Sequence, residues 1–227
     1  MKSEAIKPWA IARSIYKGVS MHFQKSTPNS HLRPKFLGKN LISFGLSNDL
    51  VFSRKNIIKI QEKKFALPEL RFFLNNPFST FRKILTLKKF GNYIYSIKPD
   101  RDYFITIMTV SIEATAVYMN NHRKCIDIMA DDKGAVSFCL KDSNLPIISL
   151  LKNQEGNWCI KTGKIENDIN VELTFKNIDV GIQSCLGKIN PLVAAASGDY
   201  EVNGYLPLLD KVGYCARLAG REIPILK

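Results

Sequence analysis

Between Asp102 and Asn120 the chain reads YFITIMTVSIEATAVYM, seventeen residues with one charge, Glu113. A stretch this apolar leaves water either by crossing a bilayer or by entering a protein core. Crossing takes about 20 residues of helix. This segment is shorter and carries Thr106, Thr109, Ser111, Glu113 and Thr115. It therefore predicts a buried helix around which the rest of a core is assembled. With 227 residues, 45% of them hydrophobic, the chain is long enough to supply that core.

The net charge of +13 is not spread evenly. Residues 1–100 hold 19 Lys/Arg against 5 Asp/Glu, whereas residues 101–227 hold 14 against 15. Charge and texture change together near Lys98–Arg101. The expected organisation is a basic N-terminal region, 1–100, followed by a nearly neutral domain, 101–227. Positive charge concentrated in one segment favours a polyanionic partner, either an anionic membrane surface or a nucleic-acid backbone. Only Arg13, Arg33, Arg54, Arg71 and Arg82 are arginines in that region, so lysine predominates. Lysine gives nonspecific phosphate contact and little base reading. The plain alternative is a basic surface that only keeps the protein in solution.

Within the basic half, Ile6, Trp9, Ile11, Ile15, Tyr16 and Val19 predict a helix from Ser3 to about Phe23. The stretch QKSTPNSHLRPKFLGKN reads as a loop, and Leu41–Phe44, Leu50–Phe52 and Ile57–Ile60 read as short strands. A brief helix is expected in LRFFLNN, between Pro68 and Pro77. In NPFSTFRKILTLKKFGNY, Phe78, Phe81, Ile84, Leu85 and Phe90 alternate with Arg82, Lys83, Lys88 and Lys89. This predicts a basic amphipathic helix, started by Asn76 or Ser79 and ended at Gly91. Aromatics interleaved with cations suit the headgroup boundary of an anionic bilayer. Phe78, Phe81, Arg82, Lys83, Lys88 and Lys89 are therefore candidate docking residues. The alternative is an ordinary helix whose phenylalanines cover a core.

After the core helix come a polar turn at Asp131–Gly134 and a strand, Ala135–Leu140. Pro146–Leu151 and Trp158–Lys161 predict a hairpin around NQEGN, and Val171–Phe175 another strand. From Ile178 to Leu186 the pattern is helical and stops at Gly187. Strands first and helices after them give an α+β class. Phe138 and Leu140, Ile148 and Leu150, Leu173 and Phe175, and Tyr200 and Val202 alternate so that one sheet face is apolar. Ile182, Leu186, Ile189, Val193, Leu206, Leu209 and Val212 are placed to close it from the other side. The same periodicity describes a solid core or the wall of a cavity.

Reactive chemistry is sparse. Cys125, Cys139, Cys159, Cys185 and Cys215 are odd in number and lack a C-x-x-C pair, which predicts reduced, mostly buried thiols. His22, His31 and His122 stand at no ligand spacing with Asp, Glu or Cys. No G-x-S-x-G occurs, KTGK at 161–164 lacks the frame of a phosphate loop, and Asp127, Asp131 and Asp132 read as a solvated turn. No catalytic residue, metal or cofactor is expected. In MKSEAIKPWAIARSIYKG the charges and Pro8 break any apolar run, so a cleaved signal peptide is not expected and a cytoplasmic chain is.

The order of elements and the stretch VELTFKNIDVGIQSCLGKINPLVAAASGDYEVNGYLPLLDKV together resemble the sterol carrier protein type 2 family. The matching features are Leu173–Phe175, Gly187–Lys188, Asn190–Pro191, Ala194–Ala196, Gly198 and Gly204. The resemblance covers about residues 101–222 and leaves 1–100 unexplained. It implies a five-stranded, mostly antiparallel sheet covered on one face by helices, with an apolar cavity between them for acyl chains, sterols or phospholipids. It also implies a binding protein in place of a catalyst. Phe138, Leu140, Ile148, Leu150, Leu173, Phe175, Ile182, Leu186, Ile189, Val193, Tyr200, Val202, Leu206 and Leu209 become the expected cavity lining. Pro207 in the last helix departs from the pattern, and the final Ile-Leu-Lys is not a Ser-Lys-Leu peroxisomal address. The expectation is a non-catalytic lipid carrier, peripheral at the inner face of an anionic membrane. Nucleic-acid binding by the basic half, or a scaffold with a filled pocket, are the alternatives, and a homo-oligomer is compatible with each.

Overall fold

The computed structural model describes residues 3–23, 32–45, 47–64, 66–143, 147–163 and 169–224. The chain divides into two compact units, Met1–Ile97 and Lys98–Leu226. Residues 24–31 of the loop expected over 24–40, His31 among them, and Pro146 and Lys164 lie outside the described residues.

The first unit opens with helix α1, Ser3–His22. Strands β1 (Pro34–Leu37), β2 (Leu41–Phe44) and β3 (Leu50–Ser53) form an antiparallel sheet in that order. β1 falls in sequence that reads as loop. Pro34 is tolerated because it begins an edge strand, where a missing N–H interrupts no ladder. Gly38, at φ 71, makes the turn into β2. Phe36 of β1 then stacks on Trp9 of α1 at 4.5 Å.

Ile57–Ile60, expected as a strand, belongs to helix α2, Arg54–Gln61. Three isoleucines in four positions do not distinguish period 2 from period 3.6. Ser53 decides it, because its Oγ accepts a hydrogen bond from the Asn56 N–H and caps a helix at that point. Helix α3 spans Leu70–Phe73, and helix α4 spans Pro77–Tyr95. Asn76 caps α4 by accepting from Ser79 N–H at 3.2 Å. The expected stop at Gly91 does not occur. The helix runs on to Tyr95, whose hydroxyl donates to the Gln61 carbonyl at 3.0 Å.

The second unit begins with α5, Arg101–Asn121, capped by Asp100 accepting from Tyr103 N–H at 2.7 Å. This is the buried helix predicted from YFITIMTVSIEATAVYM. Tyr103, Phe104, Ile107, Met108 and Tyr118 are fully enclosed. Its threonines fit an apolar setting because they turn inward on their own helix. Thr106, Thr109 and Thr115 donate to the carbonyls of Asp102, Ile105 and Ser111 at 2.8, 2.7 and 2.9 Å. Among the described residues, no helix is long and apolar enough to cross a membrane.

A short helix, α6 (Arg123–Ile128), follows, which the sequence pattern does not announce. Then come β4 (Ala135–Leu140), β5 (Ile148–Lys152), β6 (Trp158–Thr162) and β7 (Ile169–Phe175). Helices α7 (Ile178–Cys185) and α8 (Pro191–Ala196), strand β8 (Tyr200–Gly204) and helix α9 (Leu206–Glu222) complete the unit. The sheet order is β6-β5-β4-β7-β8. Three of its joints are antiparallel and the central β4–β7 joint is parallel. The α+β class holds, with one correction. Among the described residues there are two sheets, because the short strands expected in the basic region join with β1 into a three-stranded sheet over residues 34–53.

Candidate functional site

Strand register places every second residue of the five-stranded sheet on one face. Phe138 of β4 lies opposite Ile148 of β5 and Leu173 of β7. Val136 lies opposite Leu150 and Val171, and Leu140 opposite Phe175. The edge strand continues the rows, with Val202 beside Leu173 and Tyr200 beside Phe175. A side-chain period of 2 makes these residues share a face, and all except the half-buried Val202 are buried.

Helices α5, α7 and α9 pack with the strands of this sheet. Phe104 of α5 meets Phe175 edge-on at 5.9 Å, and Phe175 meets Tyr200 edge-on at 5.5 Å, so three rings run from helix to edge strand. Gly181 of α7 allows the helices to approach this closely. A Cβ at that position would lie 2.2 Å from the Phe104 ring. Two polar ties hold α5 in place. Asn120 exchanges hydrogen bonds with the Trp158 backbone, donating at 2.7 Å and accepting at 2.8 Å. Tyr118 donates its hydroxyl to Glu222 of α9 at 2.6 Å. Burial, the Glu222 bond and the nearby carboxylate push the Tyr118 hydroxyl well above its ordinary range.

The other face of the central strands is enclosed too. Ala135, Ser137, Cys139 and Ser149 are all buried, and the Ser137 and Ser149 hydroxyls satisfy each other at 2.8 Å. The Cys139 and Cys185 thiols are held protonated. Burial and the Glu172 carboxylate push Cys139 up to about 12, and burial pushes Cys185 up to about 12.

The expected lining residues separate into three groups. Phe138, Leu140, Ile148, Leu150, Leu173, Phe175, Ile182 and Tyr200 are buried, and Leu186, Ile189, Val202 and Leu209 are half-buried. Val193 and Leu206 are 64% and 59% exposed, and their place in an enclosed lining is corrected. Ala194 is the buried residue of α8, and Leu208, Val212, Cys215 and Ala219 form the buried stripe of α9. Pro207 falls in the first turn of α9, where its missing N–H removes no helical bond.

No family model matches the chain, and no curated protein matches it. Among solved structures the chain is similar to the solution structure of the sterol carrier protein domain 2 of Helicoverpa armigera. The match is 18% identical with a TM-score of 0.36, over 51% of this chain and 88% of that one. The likeness is distant.

The candidate docking helix, α4, divides its residues more sharply than its sequence does. Thr80, Lys83, Phe90 and Ile94 are buried, while Phe78 is 89% exposed and Phe81 58%. Arg82, Lys88 and Lys89 are exposed beside them. Lys83 does not join that group. Its ammonium is buried, paired with the Asp49 carboxylate and 3.0 Å from the Ser47 hydroxyl. Its candidacy as a docking residue is therefore corrected. Four further exposed apolar residues, Leu67, Leu70, Leu74 and Leu85, sit in the same stretch of chain. Only the i, i+3, i+7 spacing of Phe78, Phe81 and Leu85 could have singled that stripe out.

Proposed function

We propose that the chain is a non-catalytic lipid carrier. Its Lys98–Leu226 unit takes up a long apolar chain (acyl, sterol-like or isoprenoid) between the sheet face and α5, α7 and α9. Its basic N-terminal unit holds the protein at an anionic membrane. The observation that carries this reading is the continuous apolar face built by alternate residues of β4, β5, β7 and β8. The sequence pattern of residues 101–222 that resembles sterol carrier proteins adds support. Removing an acyl chain from water stabilises a complex by about 0.8 kcal/mol per CH₂, so a long tail needs no ionic partner to be held. The side chains needed are therefore apolar ones of varied size: Phe138, Leu150 and Leu173 on the sheet, and Ile182 from α7. Extraction and shielding of a lipid is the corresponding mechanism, and proximity to the bilayer shortens the tail's exposure to water.

The test is titration of the full chain with an environment-sensitive acyl-chain fluorophore. The expected result is saturable, blue-shifted emission that unlabelled phospholipid competes away. Emission that rises without saturating, or that ignores the competitor, would remove the carrier reading and leave a scaffold.

A further inference from the structure

We infer that residues 67–89 form the surface by which this chain enters the headgroup layer of an anionic bilayer, with Phe78 and Phe81 inserted and Arg82, Lys88 and Lys89 on the phosphates. The inference deepens the membrane step of the reading above, and it can fail separately from lipid capture.

A helical count around α4 separates two stripes. Thr80, Lys83, Phe90 and Ile94 face the interior of their unit, and Phe78, Phe81, Arg82, Leu85 and Lys89 face away. The inner stripe is bolted to Asp49, the residue just before β3. Lys83 pairs with Asp49 and Thr80 donates to the Asp49 carbonyl at 3.2 Å, so the outer stripe is presented on a fixed helix. Just before it, Leu67 and the α3 residues Leu70 and Leu74 are also exposed. Six large apolar side chains thus stand in water within nineteen residues, 67–85. Exposed apolar residues gathered in this way mark an interaction surface.

Charge selects the occupant. From Leu67 to Lys89 the sole carboxylate is Glu69, against Arg71, Arg82, Lys88 and Lys89 besides the paired Lys83. A second copy of the chain would set this cationic surface against its own like charge. A nucleic acid would reward the cations and rings but gives Leu67, Leu70, Leu74 and Leu85 nothing to stack on. The boundary of an anionic bilayer takes both parts, apolar groups below the headgroups and cations level with them.

The experiment is sedimentation of the full chain with phosphatidylcholine vesicles and with vesicles also containing phosphatidylglycerol. The parent is expected to favour the anionic vesicles, with salt weakening the preference. Phe78→Ser/Phe81→Ser should lower partitioning about tenfold or more on both compositions. Lys88→Gln/Lys89→Gln should remove most of the preference for anionic vesicles while leaving neutral ones unchanged. All four positions are solvent-facing, and circular dichroism verifies the fold. Variants that sediment like the parent overturn the inference. So does a parent that ignores vesicles and either binds single-stranded DNA or self-associates through Phe78 and Phe81 in analytical ultracentrifugation. Fluorophore uptake measured on the same variants is expected to be unchanged. A parent chain that takes up the fluorophore but ignores both vesicle compositions overturns only this surface, and a parent that sediments with anionic vesicles but takes up no fluorophore overturns only the carrier reading.

Discussion

Asp49 immediately precedes β3 with 1% of its side chain exposed, which leaves its charge in need of compensation. Burial alone pushes its carboxyl up. Hydrogen bonds from Lys83, Ser79 and Ser47, with the Lys83 charge, outweigh that and hold it at about 2. A carboxyl depressed in this way contributes stability that is fully present above its ordinary value of 3.8 and is lost as pH falls through about 2. The contribution near neutrality is roughly 2 kcal/mol. Asp49→Asn also leaves the Lys83 ammonium buried without its counter-charge, a loss of about 3–5 kcal/mol. The expected outcome of thermal unfolding is a large destabilisation of Asp49→Asn at pH 7 that narrows towards pH 2. A gap of constant size across that range would show that the pair is not what stabilises β3 against α4. None of this was legible beforehand. In the sequence Lys83 is one cation among Arg82, Lys88 and Lys89, and its partner lies in a turn 34 positions earlier. Local pattern carries no record of which cation a distant carboxylate selects.

At the scale of elements, legibility followed periodicity and its length. α5 was readable because seventeen apolar residues have few destinations. β4 was readable because a polar turn precedes it, and β6 because a hairpin glycine sets its start, Gly156 at φ 78. Phase was lost where several apolar residues are adjacent. LPLL offers leucines at 206, 208 and 209, and the buried stripe of α9 proves to be Leu208, Val212, Cys215 and Ala219. Cys215 and Ala219 fix that stripe, but small residues weigh little in a hydrophobic pattern. The phase makes a direct prediction. Leu208→Ala should lower unfolding stability by about 2–4 kcal/mol, whereas Leu206→Ala should stay within about 0.5 kcal/mol. Equal effects in denaturant titration would contradict the phase. The same reasoning explains Val193, since a six-residue helix such as α8 completes too few turns to show which face is inner.

At the scale of the molecule, the proposed function divides labour between a lipid-holding unit and a membrane-facing one. The apolar alternation in β4, β5, β7 and β8 was visible in the chain because the sheet face repeats every second residue. The joining of those strands, including the parallel β4–β7 joint, was not, because it depends on pairings between distant segments. Nor did composition disclose the three-stranded sheet of the basic unit, whose first strand is hidden in proline- and lysine-rich sequence. Whether alternate residues enclose a ligand is a question of filling, and periodicity reports only direction. Native mass spectrometry of the gently purified full chain, before and after incubation with phospholipid vesicles, tests that most directly. The account predicts an adduct of one lipid per chain that is released on denaturation. The bare chain mass in both samples would contradict it.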